Sequence, residues 1–128
     1  MTAAPLEHAR RNRLSRLKQY RDLVIEAGVT VDGIVFDSDP MSAAALGTAI
    51  AATKRPRHAG KVIGWKGRNG DYLDANHDRL VEIDDEIFNH TQRCRSIERY
   101  HKIEIEALET VEAIEAYDIT TEWPYATP

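Results

Sequence analysis

A heptad-like apolar stripe runs through the C-terminal half of the chain and limits the folds that this chain can adopt. Seven positions are spaced alternately by three and four residues, and two further apolar positions continue the same stripe. This period predicts one long helix, from about residue 76 to 108, with a single apolar face. The stripe consists of Leu80, Ile83, Ile87, His90, Cys94, Ile97, His101, Ile105 and Leu108.

The predicted length of this helix raises the question of what covers its apolar face. At a rise of about 1.5 Å per residue it would span about 50 Å, which is longer than a compact domain of 128 residues. Part of the stripe is therefore expected to meet either the N-terminal helix or copies of itself in a coiled coil. For a homo-oligomer, the predicted interface residues on this helix are Leu80, Ile83, Ile87, Cys94, Ile97, Ile105 and Leu108.

The N-terminal segment also has a helical pattern. Apolar residues recur at mixed threes and fours between Pro5 and Ala27, and Gly28 is suited to end the helix. This Arg-rich helix is assigned to residues 1–28, separate from an α+β domain at 29–128. Its predicted docking residues are Leu14, Leu17 and Val24.

The segment between the two helices predicts two β-hairpins and a short helix. The dipeptide Asp32-Gly33 lies between two β-branched runs and suits a two-residue hairpin turn. An Ala-rich helix and a second hairpin follow, and the two hairpins are expected to contribute to one small antiparallel sheet of up to four strands. The predicted elements are a hairpin at 29–36, a helix at 40–54, and strands at 61–66 and 71–74. The expected fold class is therefore α+β.

Charge is distributed unevenly along the chain. Residues 1–68 contain 12 Lys/Arg and 6 Asp/Glu, whereas residues 69–128 contain 5 and 15. This asymmetry could drive head-to-tail assembly, or the basic part could pack on the acidic part within one fold. Nucleic acid binding is the weaker interpretation, because the acidic half would repel phosphate.

Residue patterns that carry catalysis are scarce. The sequence has no Gly-x-Ser-x-Gly, no phosphate-binding Gly-rich loop and no His-Glu-x-x-His motif, so we predict a non-enzymatic protein without a cofactor. The spacing of His90 and Cys94 would suit two metal ligands, with His101 on the same stripe. Core packing is the preferred interpretation of these residues, and no metal site is predicted.

Three aromatic residues, the single cysteine and the hydropathy of the chain each give a further prediction. Trp65, Tyr72 and Trp123 are interpreted as core anchors rather than a recognition surface. Cys94 is the only cysteine, which excludes an internal disulfide and favours a reducing compartment. The longest apolar run, 43–52, is too short for a membrane span, and no secretory signal is visible.

The order of these elements resembles a known family. The run at 28–39, the Ala-rich helix, Ile63 to Lys66, Asp71 to Leu73, the long helix with His90 and the closing Trp123-Pro124 are similar to an uncharacterised domain of tailed-bacteriophage tail and tail-fibre-associated proteins. The Arg-rich helix lies outside the resemblance. The segment from Gly64 to Arg68 departs from the family's usual Thr or Ala spacing.

The resemblance implies a structural role and no catalytic residues. A protein of this family would be an oligomeric adaptor at the baseplate or tail-fibre junction, bound to other tail proteins. It would be assembled in the bacterial cytoplasm and retained in the virion tail. The alternative is a tail-fibre assembly chaperone that is absent from the finished particle. The short stand-alone chain favours an adaptor or a chaperone over a domain appended to a fibre.

Overall fold

The computed structural model describes residues 3–124 and has the predicted α+β fold. Four α-helices, four short strands and one 3-10 turn follow one another along the chain. In chain order they are α1 (Ala3–Ile25), β1 (Val29–Val31), β2 (Ile34–Phe36), α2 (Pro40–Thr53), the 3-10 turn (Pro56–His58), β3 (Ile63–Lys66), β4 (Tyr72–Ala75), α3 (His77–Ala107) and α4 (Val111–Ala116).

Both predicted hairpins are confirmed. In the first, Val29 pairs with Phe36 and Val31 with Ile34. Its turn places Asp32 at φ 52° and Gly33 at φ 76°, the left-handed conformations that an Asp-Gly hairpin turn requires.

The hairpins form two separate two-stranded sheets, so the expectation of one joint sheet is wrong. The turn of the second hairpin meets the first hairpin through a backbone hydrogen bond. There the Arg68 amide donates to the Val35 carbonyl oxygen over 2.7 Å. A turn offers no row of amides and carbonyls, so no ladder can extend from one hairpin to the other.

The described residues form two compact units. The first unit comprises residues 3–24 and 92–124, and the second unit comprises residues 25–91. The helix α3 contributes its residues 77–91 to the second unit and its residues 92–107 to the first. This division differs from the predicted boundary after residue 28. The predicted boundary rests on the sequence pattern alone.

The core of the second unit is built from both hairpins, α2 and the start of α3. Leu80 and Ile83 are fully buried. Small residues in α2 allow a close approach, because Ala43 and Ala49 pack on the core with little side-chain volume. The buried cluster is Val29, Val31, Phe36, Leu46, Ala75, Leu80, Ile83 and Ile87.

The core of the first unit centres on a buried histidine. The ring of His101 is stacked on Trp123, with 5.7 Å between centroids, and its Nε2 lies 2.8 Å from the Thr121 carbonyl oxygen. A carbonyl only accepts, so Nε2 carries the proton and Nδ1 accepts from the Tyr117 hydroxyl at 2.6 Å. Burial raises the pKa of the Tyr117 phenol above its usual value. Tyr20 of α1 meets the edge of Trp123.

Candidate functional site

An apolar groove of about 290 Å³ opens on the surface of the second unit. Its floor belongs to the hydrophobic core, and its walls come from α2, β3 and the end of β2. A groove of this size lies at the lower end of ligand-binding cavities and suits one large side chain or a small ligand. The apolar groove is lined by Phe36, Asp37, Ser42, Ala45, Leu46, Gly64, Trp65, Lys66, Ile83 and Ile87.

Local sequence explains why the groove stays open. Ala45 is an exposed wall position on α2, and its methyl side chain is too small to fill the groove. The start of α2 is held by Asp39, whose carboxylate accepts from the Ser42 amide at 3.2 Å. The hydrogen bonds from Ser42 hold the pKa of Asp39 below its usual value, so the cap is charged at neutral pH.

The rim of the groove carries one uncompensated positive charge. Asp37 accepts from Arg68 Nε at 2.6 Å, so its charge is already paired. Arg68 also donates to the carbonyl oxygens of Glu26 and Ala27, which ties the second hairpin to the loop after α1. Lys66 is exposed and makes no ion pair with any residue of the described range 3–124.

Apolar side chains are also exposed on this unit. Met41 is 82% exposed, Tyr72 62% and Phe88 61%. The prediction that Tyr72 is a core anchor is therefore wrong, because the alternation of β4 turns it to the outer face, where it lies over Gly64. Trp123 is confirmed as a core residue, and Trp65 is half-buried in the groove wall.

The predicted interface residues lie largely inside this single chain. In the first unit Leu17, Val24, Cys94 and Ile105 are buried, and in the second unit Leu80, Ile83 and Ile87 are buried. The half-buried members of the set are Leu14, Ile97 and Leu108. The stripe residues of α3 are buried or half-buried within this one chain, so their burial requires no second chain. An oligomeric role for these residues stays a prediction.

The histidine and cysteine positions of the stripe do not converge. His90, Cys94 and His101 are all buried, and His101 is fully engaged by Tyr117 and Thr121. Within residues 3–124, no group of three His, Cys, Asp or Glu side chains is placed to hold a metal ion.

Burial makes Cys94 a poor nucleophile. Desolvation raises the pKa of its thiol to about 11, so the reactive thiolate is scarce at pH 8. We expect the native protein to resist alkylation by iodoacetamide at pH 8, and the protein in 6 M guanidinium to react fully. Mass spectrometry of intact protein measures this, and rapid labelling of the native protein would contradict the burial.

The arginines of α1 are used within the first unit. Arg10 donates to the Leu108 carbonyl oxygen and Arg13 to that of Glu115, each over 2.6 Å. These acceptors lie at the C-terminal ends of α3 and α4, where free carbonyls and the helix dipole favour a cation. Arg21 pairs with Glu98 at 2.8 Å.

These contacts of Arg10, Arg13 and Arg21 show where the uneven charge of the sequence lies in the structure. The first unit contains ten Lys/Arg and ten Asp/Glu, and the second unit seven and eleven. Of the two alternatives left open by the sequence, the basic and acidic parts do pack together within the first unit. Arg11, Arg16 and Lys18 are the basic side chains of α1 that stay exposed.

Sequence reasoning missed two exposed residues of the second unit, Phe88 and Lys66. Phe88 follows the stripe residue Ile87 directly, so it falls on the polar side of α3. An aromatic residue next to an apolar stripe, on the polar side of the helix, was the signal that could have identified Phe88 as exposed. Lys66 carried no local signal, because its isolation depends on Arg68 pairing with Asp37 instead.

Comparison with known proteins yields one family. The model of the family described as Domain of unknown function (DUF4376) matches residues 8–121. The match begins inside α1 and ends beyond α4. No curated protein and no solved structure matches the chain significantly. No helix in the described residues has the length and apolar character of a membrane span.

Proposed function

This chain belongs to the DUF4376 family, and we propose that it is an oligomeric structural adaptor of a bacteriophage tail. Its place would be the baseplate or the tail-fibre junction, in contact with other tail proteins. The resemblance of residues 28–39 and of the second hairpin to tail-associated domains supports the phage context. The observation that carries the binding role is the exposed apolar surface of the second unit.

That surface includes the outer face of the second hairpin, which we call the hairpin face. It consists of Val62, Tyr72 and Asp74, all of which are exposed. Val62 is 59% exposed and Tyr72 62%. Exposed aromatic and branched side chains on a short hairpin are typical of protein contact sites, where aromatic residues supply much of the binding energy. In the proposed adaptor, the hairpin face contacts the neighbouring tail protein.

The decisive experiment is quantitative mass spectrometry of purified phage particles and of cleared infected lysate. A built-in adaptor is expected in the particles at a fixed ratio to baseplate proteins. Detection in the lysate alone would overturn the proposal and favour the tail-fibre assembly chaperone instead.

A matched pair of variants tests the hairpin face. Tyr72→Ser is expected to reduce incorporation into particles at least about tenfold, because it removes a central aromatic contact. Tyr100→Ser is the control, since Tyr100 is also exposed, at 48%, but lies in the first unit. Equal incorporation of both variants would contradict the role of the hairpin face.

A further inference from the structure

Phe88 is an exposed aromatic residue on the surface of α3. Its side chain is 61% exposed, whereas the other phenylalanine, Phe36, is 2% exposed in the core. Phe88 lies on α3 within the second unit, directly after the buried Ile87. Aromatic residues, phenylalanine among them, are enriched in the contact surfaces of protein complexes.

Two carboxylates flank this aromatic side chain. Asp84 and Asp85 precede Phe88 by four and three residues, which places them one helical turn away on the same side of α3. Neither forms an ion pair with another described residue. Phe88 and its flanking acids therefore form a projecting apolar group with negative charge beside it.

The apolar groove has the complementary form. Its floor is apolar, its volume is about 290 Å³, and the free charge on its rim is the positive charge of Lys66. The other charged rim residue, Asp37, is neutralised by Arg68. An aromatic side chain in this groove would leave water, while an acidic residue one turn away would reach the ammonium group.

We infer that the apolar groove binds Phe88 of a second copy of this chain, with Asp84 or Asp85 of that copy paired to Lys66. The inference deepens the oligomeric part of the proposed function and specifies its contact. It also replaces the apolar stripe of α3 as the means of self-association, because Leu80, Ile83 and Ile87 are already covered within the second unit.

Sedimentation equilibrium of the purified full chain tests the contact. Phe88→Ser is expected to raise the dissociation constant of self-association at least about 30-fold, as the loss of an aromatic anchor does. Ala45→Trp, which fills the groove, is expected to have a similar effect. Tyr100→Ser is the matched control on the same helix and is expected to leave the constant unchanged.

Mixing the two disrupted variants provides a complementation test. Phe88→Ser retains an intact groove, and Ala45→Trp retains an intact Phe88, so an equimolar mixture can form one native contact. We expect the mixture to associate more tightly than either variant alone. Failure of the mixture to associate would overturn the inference, provided that thermal melting shows both variants folded.

A charge exchange tests the pairing and avoids substitution in the groove floor. Lys66→Glu alone and Asp84→Lys with Asp85→Lys are each expected to weaken association. All three substitutions in one chain are expected to restore it, which a merely structural effect would not do. Lack of restoration would overturn the pairing and the inference.

The remaining outcomes are equally informative. A wild-type chain that is monomeric at 100 μM would overturn the inference while leaving incorporation into particles, and with it the tail role, open to its own test. If the monomer binds a tail protein and Ala45→Trp abolishes that binding, the groove takes a different partner and the inference also fails.

Discussion

Replacing Gly67 with alanine is expected to destabilise the second unit by about 3 kcal/mol, the upper range for overpacking a buried site. The new Cβ would lie 2.3 Å from Cγ2 of Ile34 and 2.9 Å from the Val35 carbonyl oxygen. The Ile34 side chain can shift, but the carbonyl belongs to the backbone of β2. That carbonyl also accepts the Arg68 amide, so relief of the clash breaks the bond between the two hairpins.

Urea denaturation together with amide hydrogen exchange measures this effect. Exchange should accelerate at residues of the second unit, because the clash lies there. Gly47→Ala is the matched control: nothing lies within 4 Å of its added Cβ, and it sits inside α2. Alanine at that site is expected to stabilise the protein by about 1 kcal/mol, through helix propensity. Equal stability of the two variants would contradict the packing at Gly67.

His101→Ala is expected to destabilise the first unit by about 3 kcal/mol. It removes a fully buried ring stacked on Trp123 and leaves the Thr121 carbonyl oxygen without its donor. The cavity and the unsatisfied carbonyl both contribute to the loss.

Two further variants grade the contributions in this unit. Tyr117→Phe removes only the hydroxyl that donates to His101 and is expected to cost about 1 kcal/mol. His8→Ala, at an exposed position of α1, is expected to change stability by less than about 0.5 kcal/mol. Urea denaturation monitored by tryptophan fluorescence measures all three. If His101→Ala and His8→Ala were equally stable, the assignment of His101 to the core would be wrong.

Elements governed by local rules were predictable. The helix expected from about residue 76 to 108 is observed at His77–Ala107, because a 3-4 spacing of apolar residues suits only a helical face. The first hairpin followed from Asp32-Gly33, whose positive φ angles few other dipeptides adopt. Asn76, whose side-chain oxygen accepts the Arg79 amide, marks the start of α3 in the same local way.

The candidate site was less accessible to sequence reasoning. Ile83 and Ile87 were identified as apolar contact residues, but they form the floor of a groove together with Phe36 and Leu46. Tyr72 was predicted to lie in the core. The short hairpin instead leaves the face that carries Tyr72 open to solvent. A groove forms only where several elements meet. Its lining residues, such as Phe36 and Ile87, are far apart along the chain, so local sequence patterns do not reveal that they are neighbours.

Local sequence patterns account for the helices, the two turns that allow hairpins, the α+β class and the apolar stripe of α3. Each follows from interactions within a few residues, where periodicity, capping and turn conformation act. Three features became evident from the packing alone. They are the residues that cover the stripe, the separation of the hairpins into two sheets, and the hydrogen bonds from arginines of α1 to carbonyls at the C-terminal ends of α3 and α4. Burial and charge pairing join residues that are distant in the chain, so they depend on how the elements pack.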